Sequence, residues 1–352
     1  MILWRRKLPS WLLNLRISRN DFQTIMNKPF VSIVVPAYNA QRTIDLTLQA
    51  LADQSYQGPK EVIVVDDGSS DSTPERIKAF RHASYIYQEN QGPAAARNRG
   101  FQASKGEIVF FTDADCIPER AWIEKCLSGF TDETIGVVCG SYGIANPGSL
   151  LARCIHAEIL YRHRYHMPNF PKSFGSYNFC LRRKVFEAAG GFNPSYRNAS
   201  GEDNDLSYKI LKLGSKIFFA RDTIVDHFFP TFVLKYLKEQ FRHGFWRARM
   251  YRDHPQMALG DDYTFWKDIV EPPIILAMML LLIMGMIFKL FFIPLAFGFL
   301  VILSLIELLF SFRMTKSPFE ALFYAFVMLL RAMARTLGFV TGAFQVFSQK
   351  VR

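Results

Sequence analysis

The stretch Glu107-Ile-Val-Phe-Phe-Thr-Asp113-Ala-Asp115-Cys116 decides the fold, because it joins a buried strand to a pair of acids. Its four consecutive apolar residues, 108–111, predict a short strand that is covered on both faces. Asp113 and Asp115 follow directly, at the sheet edge where open α/β folds bind ligands. Two such carboxylates repel each other unless a cation joins them, and Mg²⁺ or Mn²⁺ on nucleotide phosphates is the usual cation. The alternative interpretation is a polar turn, since Asp also favours turns and helix caps.

Two segments upstream repeat this plan of a strand followed by a polar turn. Residues 31–39 form a β-branched run stopped by Pro36, and residues 61–70 end in Asp-Asp-Gly-Ser-Ser. Apolar spacing over residues 40–52 predicts a covering helix between them, and Pro74 suits the start of the next helix. Two such units before the Asp113 strand predict a βαβαβ half of a doubly wound parallel sheet, a unit that binds nucleotides.

The composition excludes several classes of protein. The chain has 352 residues and a net charge of +11, concentrated near the N-terminus and between residues 235 and 252. This distribution indicates a membrane surface or a phosphate-bearing substrate, and no nucleic-acid-binding motif is present. The five cysteines are odd in number and lack CxxC spacing, which predicts reduced, cytosol-facing thiols and no zinc site.

Six short motifs between residues 31 and 230 occur in an order that resembles the family 2 glycosyltransferases. These are inverting enzymes with the α/β GT-A fold, a Rossmann-like mixed sheet that binds nucleotide-diphospho-sugars. The matching motifs are Val-Val-Pro36-Ala37-Tyr38-Asn39, Val65-Asp66-Asp67-Gly68-Ser69, Gly92-Pro-Ala-Ala-Ala-Arg97-Asn98-Arg99-Gly100, Asp113-Ala-Asp115, Gly190-Gly191-Phe192 and Gly201-Glu202-Asp203-Asn204-Asp205-Leu206. One departure is that Ala40 and Gln41 stand where the family usually has an acidic pair.

The resemblance implies a role for each of these motifs in binding the donor. Asp66 should accept from the imide N–H of the base, and Asp113 should contact the ribose. Asp115 should hold the Mg²⁺ or Mn²⁺ ion. The other implied substrate-binding residues are Pro36, Ala37, Tyr38, Asp67, Arg97, Asn98 and Asn178. A turn and helix cap is the alternative for Asp67. Arg97 either reaches a phosphate bidentately or is a solvated helix arginine.

The resemblance also implies where the catalytic base and a second metal ligand lie. Asp203 is the expected general base, with Glu202 beside it in the catalytic pair. Acids at a helix N-terminus are also favoured by the helix dipole, which is the alternative for both. His227 matches a position where relatives supply a histidine near the metal, although a lone histidine is often structural. His156, His163 and His166 lack metal-ligand spacing, so we expect them on the surface.

Both ends of the chain carry features of a membrane protein. Residues 1–30 form a basic segment, either an interfacial amphipathic helix or a solvated tail. After the catalytic domain (31–230), residues 231–270 predict interfacial amphipathic helices, and 271–352 form the membrane region. Residues 272–288 and 290–312 predict two spanning helices with Lys289 at the hairpin tip, and Glu307 is expected to snorkel. A third stretch, 319–346, either spans with its arginines facing protein or lies in the interface.

The sequence therefore predicts a multi-pass enzyme of the cell membrane with its catalytic domain on the cytoplasmic face. We expect it to transfer a sugar from a nucleotide-diphospho-sugar, most simply a UDP-sugar, to a lipid-linked or glycan acceptor. Arg242, Arg247 and Arg249 are the candidates to meet an acceptor phosphate. Two alternatives stay open at this point: a nucleotidyltransferase on a similar fold, and a non-catalytic membrane scaffold that binds nucleotides.

Overall fold

The computed structural model describes residues 28–197, 201–257, 260, 262, 264–288 and 291–348. The predicted basic segment 1–30 lies almost entirely outside these residues, as does Lys289 at the predicted hairpin tip. The strands are β1 (Val31–Ala37), β2 (Lys60–Asp67), β3 (Ala83–Gln88), β4 (Ile108–Phe111), β5 (Cys116–Pro118), β6 (Ile135–Ile144), β7 (Phe179–Arg182) and β8 (Lys216–His227). The α-helices are α1 (Ile44–Ala52), α2 (Thr73–Ala79), α3 (Pro93–Ala103), α4 (Trp122–Ser128), α5 (Leu150–Tyr165), α6 (Arg183–Ala189), α7 (Glu202–Lys212), α8 (Val233–Asp253), α9 (Trp266–Ile287), α10 (Phe292–Met314) and α11 (Pro318–Ser348).

All eight strands form one mixed sheet in the order β3-β2-β1-β4-β7-β6-β8-β5. Its first half is parallel, because β1 pairs with β2 and β4, and β2 pairs with β3. The predicted parallel unit is therefore present, with one more strand than the sequence analysis expected. Strand β3 was missed, because its alternating burial places only half of it against the core.

The second half of the sheet contains antiparallel pairs, and its last strand, β5, directly follows Asp115. Strand β7 runs antiparallel between β4 and β6, and the short β5 pairs antiparallel with the end of β8. Strand β8 continues to His227, because β6 pairs along its whole length across a register shift. This continuation sets Cys116 opposite His227.

Within the described residues, three helices are long and apolar enough to cross a membrane: Trp266–Ile287, Phe292–Met314 and Pro318–Val346. The first begins six residues before the expected apolar run and so carries the charged turn with Lys267 and Glu271. Lys267 is fully buried, with its Nζ 2.7 Å from Glu271 Oε1 and 3.0 Å from Glu307. Glu307 therefore faces protein, and the expectation that it snorkels is wrong. A buried acid of this kind is stable only with such a partner.

The arginines of α11 also face protein. Arg331 is buried, and its Nη1 lies 2.7 Å from Glu158 of α5, a helix of the catalytic domain. Arg335 donates from Nε to Gln240 of α8 at 2.8 Å and approaches Asp268 of α9 at 3.4 Å. Helix α11 is thus held to α5 and α9 by ion pairs and to α8 by a hydrogen bond.

Helix α8 crosses α11 at close range, because three glycines remove the side chains that would separate them. A Cβ on Gly244 of α8 would overlap the Arg335 carbonyl, and a Cβ on Gly338 or Gly342 of α11 would overlap the backbone of α8. Small residues at a helix crossing let backbones approach. The amphipathic helix predicted for this region is therefore packed against a membrane helix along much of its length.

We expect Gly338→Ala to lower the melting temperature in detergent, because the added methyl meets the Phe241 carbonyl. Overpacking of this kind costs about 1–3 kcal/mol. Gly298→Ala in α10 is the matched control, since among the described residues nothing lies within 4 Å of its added Cβ. That control should be neutral or stabilising by up to about 1 kcal/mol. Equal melting temperatures for the two variants would contradict the close crossing.

Candidate functional site

The first wall of the site is formed by the carboxyl ends of β1 and β2. Tyr38 is exposed beside them, whereas Asp66 is fully buried. One Asp66 oxygen accepts from Ser69 N at 2.9 Å, and the other accepts from the Tyr85 hydroxyl at 2.9 Å. Burial, and then the bond to Asp66, raise the pKa of Tyr85 to about 12. Tyr85 lies in the missed strand β3, so the sequence analysis could not place it here.

Asp67 fixes the loop that leads from β3 into α3. Its buried carboxylate accepts from Gln88 Nε2 at 2.6 Å and from the backbone N–H groups of Gln91 and Gly92 at 2.9 Å each. Position 92 needs glycine, because its φ is +89° and because a Cβ there would overlap the Arg197 carbonyl. These contacts correspond to the turn-and-cap alternative for Asp67, and its contact with substrate stays a prediction.

Arg97 is the buried centre of the site and is not a solvated arginine. Its Nη2 lies 2.7 Å from Asp113 Oδ1, and its Nη1 lies 3.0 Å from Glu202 Oε1. Burial alone would lower the pKa of Arg97, but Asp113 and Glu202 together raise it above its usual value. Both terminal nitrogens are thus bound to protein carboxylates. Arg97 holds the two acidic motifs together, and its bidentate contact with a donor phosphate stays a prediction.

Like Arg97, Asn98 bonds to a distant segment of the protein. Its Nδ2 donates to the Phe192 carbonyl at 2.8 Å, and its Oδ1 accepts from Phe192 N at 2.9 Å. The amide therefore clamps the backbone of the glycine-rich turn at 190–192. The structure gives Asn98 this contact rather than one to substrate.

Asn178 lies away from any open surface, which corrects its expected place beside the sugar. It is fully buried, and its Oδ1 accepts from Trp122 Nε1 at 2.8 Å. Its Nδ2 donates to the carbonyls of Ser141 at 3.0 Å and Thr223 at 3.2 Å. With its amide bonded to three elements of the fold, Asn178 holds the sheet together.

Asp115 and His227 face each other across the β5–β8 pair. His227 Nε2 lies 3.5 Å from Asp115 Oδ1, and the Cys116 thiol is 3.8 Å from the same oxygen. Among the described residues, these three form a group whose ligand atoms lie within 4.8 Å of one another. The Asp115 side chain is 44% exposed, so this group opens to solvent. An oxygen and an imidazole nitrogen at this spacing fit a divalent cation that keeps open positions.

The acids Glu202 and Asp203 begin α7, after Gly201 in a left-handed conformation. Glu202 is buried and bound by Arg97, whereas Asp203 is half-buried. Burial first, and then the charge of Glu202, raise the pKa of Asp203 to about 7. A carboxylate with this pKa can accept and release a proton near neutral pH. Of the two, Asp203 is the one with a base's properties.

Aromatic residues that the sequence analysis missed surround His227. The Tyr142 ring centre lies 5.5 Å from that of His227, and the Phe229 ring centre lies 4.8 Å from it. One of the histidines expected on the surface is also buried. His163 pairs with Ser141 Oγ at 2.8 Å, and burial lowers its pKa to about 3. No sequence signal marked these residues, because their partners come from distant strands.

The model of the family described as glycosyl transferase family 2 matches residues 32–190. The glycosyltransferase AglE of Haloferax volcanii is 33% identical over 225 residues, covering 61% of this chain and 72% of AglE. The probable glycosyltransferase YdaM of Bacillus subtilis is 26% identical over 284 residues, covering 76% of this chain but only 61% of YdaM. The chain belongs to glycosyltransferase family 2, which confirms the predicted family and enzyme class.

A solved structure confirms the predicted fold. The mannosyltransferase PcManGT from Pyrobaculum calidifontis, described in complex with GDP-Man and Mn²⁺, superposes with a TM-score of 0.57 at 18% identity. The match covers 90% of this chain and 88% of that one. The mixed sheet is therefore a GT-A fold.

We expect Asn178→Ala to destabilise the protein without raising the KM for the donor. The change leaves Trp122 Nε1 and two buried carbonyls without their partner, at about 1–3 kcal/mol for each unsatisfied group. Thermal unfolding and donor titrations of wild type and variant measure the two effects. A large rise in KM with an unchanged melting temperature would restore the substrate-binding role.

Proposed function

We propose that the protein is a membrane-attached, inverting, metal-assisted glycosyltransferase that takes its sugar from a nucleotide-diphospho-sugar. The observation that carries the proposal is the Arg97 bridge. It joins Asp113, two residues before Asp115, to the helix that presents Asp203. A metal-assisted inverting transfer uses ligands for a cation on one segment and a separate base on another.

The donor side of the proposal rests on the pocket at the ends of β1, β2 and β4. Pro36, Ala37 and Tyr38 would line the base, Asp66 would meet its imide N–H, and Asp113 would contact the ribose. The related PcManGT is described with GDP-Man and Mn²⁺, which supports the class of donor. Our preference for a UDP-sugar comes from the family resemblance.

Asp115 and His227 would hold the cation. The bound cation, Mg²⁺ or Mn²⁺, would supply positive charge to the departing diphosphate. Asp115 alone suits either ion, whereas an imidazole nitrogen is more typical of transition ions and so favours Mn²⁺.

Asp203 would act as the general base. As the acceptor oxygen forms its bond to the anomeric carbon, the bond from that carbon to the diphosphate breaks and the configuration inverts. The hydroxyl proton passes to the Asp203 carboxylate. Glu202, held by Arg97, would position Asp203 and keep its pKa high.

The three apolar helices support attachment to a membrane, and we propose that they cross it. Arg313 lies in the last turn of the second helix and Lys316 follows that helix, which favours a cytoplasmic position for the loop and for the catalytic domain. A catalytic domain joined to membrane helices suits an acceptor that is itself in the membrane. We therefore propose a lipid-linked acceptor.

We expect Asp115→Asn to abolish Mn²⁺-dependent donor binding while the protein stays folded. Loss of one of two charged or basic ligands removes most of the affinity for the cation. Asp222→Asn is the matched control, because Asp222 is an exposed acid on the same strand as His227. Calorimetric titration of a nucleotide sugar with and without Mn²⁺ gives the answer. Undiminished Mn²⁺-dependent affinity in Asp115→Asn would remove the metal assignment.

We expect Asp203→Asn to reduce turnover by about 10²–10⁴-fold, the usual contribution of one well-placed base, with donor affinity kept. NMR of the product should show an inverted anomeric centre. Retention of configuration would refute the mechanism.

The pH profile is a second measurement of the same base. Only the ionised carboxylate accepts a proton, so kcat/KM of the wild type should rise as pH increases through about 7. A rate that is flat from acid to neutral pH would contradict the assignment.

A further inference from the structure

A cleft of about 360 Å³ lies between the start of α7 and the helices α8, α9 and α11. It lies outside the nucleotide pocket, and the functional assignments above leave it without a role. The residues that line it include Gly201, Asn204, Arg247, Ile269, Arg335 and Phe339.

The elements that line this cleft differ in chemistry. On α7 the lining residues are Gly201 and Asn204, which flank Glu202 and Asp203 in the chain, so the cleft borders the segment of the proposed base. On the apolar helices the lining includes Ile269 and two prolines of α9 and Phe339 of α11. These helices are two of the three that are apolar enough to cross a membrane. The cleft therefore leads from the base to the apolar helices.

Two arginines and one acid line the cleft. Arg247 lies with its guanidinium 5.8 Å from the centre of the Tyr251 ring, and Arg335 is held in place by Gln240. The acid, Asp268, has its Oδ1 3.4 Å from Arg335, 3.7 Å from Arg331 and 3.9 Å from Lys267. The cleft therefore presents guanidinium groups beside an acid that is itself held by cations.

We infer that this cleft binds the acceptor, a lipid that carries a phosphate or diphosphate group, with Arg247 and Arg335 on the phosphate. The inference rests on the proposed function, because it uses Asp203 as the base. The group to be glycosylated would lie at the Asn204 end, and the hydrocarbon chain would leave past Ile269 and Phe339. Guanidinium groups are well suited to phosphate because they present parallel N–H donors.

The three arginines that the sequence analysis grouped together, Arg242, Arg247 and Arg249, differ in whether they line the cleft. Arg242 is exposed on α8 and does not line the cleft. Arg249 donates to Ser195 Oγ at 2.8 Å and packs on Tyr196, so it holds the loop before α7. Arg247 is the one of the three that lines the cleft. Arg242 and Arg247 share a helix and a charge, which makes them a matched pair for substitution.

Binding of isoprenoid probes to the full-length protein in uncharged detergent tests the inference. The probes are farnesyl diphosphate, farnesol and inorganic diphosphate. Farnesyl diphosphate should bind more tightly than the other two, because it alone has both the anionic group and the chain. R247Q should weaken this binding about tenfold or more, which corresponds to about 1.4 kcal/mol, and R242Q should leave it within about twofold.

A second pair of variants tests the path of the chain without changing any charge. Ile269→Trp fills the cleft from an exposed position on α9, and Ile283→Trp is an equally exposed control on the same helix outside the cleft. The first should block farnesyl diphosphate and the second should not. Because they leave Arg247 unchanged, these two variants test the path of the chain even if R247Q folds poorly. Equal loss in R247Q and R242Q, or undisturbed binding in Ile269→Trp, would overturn the inference.

The probes also separate the sources of the anion. Inorganic diphosphate that binds as tightly as farnesyl diphosphate would show a site for a free anion and overturn the lipid assignment. Mn²⁺-dependent binding of the nucleotide sugar, measured on the same variants, distinguishes failure of this inference from failure of the proposed function. If R247Q keeps donor binding and loses the lipid, the inference stands. If wild type binds the lipid but no nucleotide sugar, the proposed function fails instead.

Discussion

The buried ion triad of Asp113, Arg97 and Glu202 is the interaction on which the site depends. An arginine taken out of water is costly unless carboxylates surround it, and breaking such a buried pair is destabilising by about 3–5 kcal/mol. Here one carboxylate comes from the turn after β4 and the other from the start of α7. The need of one buried arginine for opposite charge therefore fixes Asp113 relative to the helix that carries Asp203.

The parts of this site that could be predicted from sequence are those fixed by local pattern. Asp66 and Asp113 follow apolar strands, so the sheet edge they occupy was readable from spacing alone. The roles of Arg97 and Asn178 were not readable, because their partners are distant in sequence. Arg97 meets Glu202 across 105 positions, and Asn178 meets Trp122 across 56. The sequence alone does not show whether a polar residue in a family motif binds a ligand or a distant residue of the same protein.

The partners of the charged residues within the apolar helices could not be predicted from the sequence either. Lys267, Glu307 and Arg331 interrupt long hydrophobic runs, and each is buried against an opposite charge from another element. Hydropathy located the helices, but only the tertiary partners explain why their charges are tolerated. Together with the glycine crossing of α8 and α11, these pairs make the apolar helices a continuation of the catalytic body rather than a separate anchor.

The pair between Glu158 and Arg331 has a consequence for the order in which the chain folds during synthesis. Glu158 lies in α5, and Arg331 lies in α11, which is synthesised 173 positions later. Until α11 is present, one of the two arginines that neutralise Glu158 is missing. Burial of Glu158 is therefore completed only when α11 packs against α5, after the strands of the sheet have been synthesised.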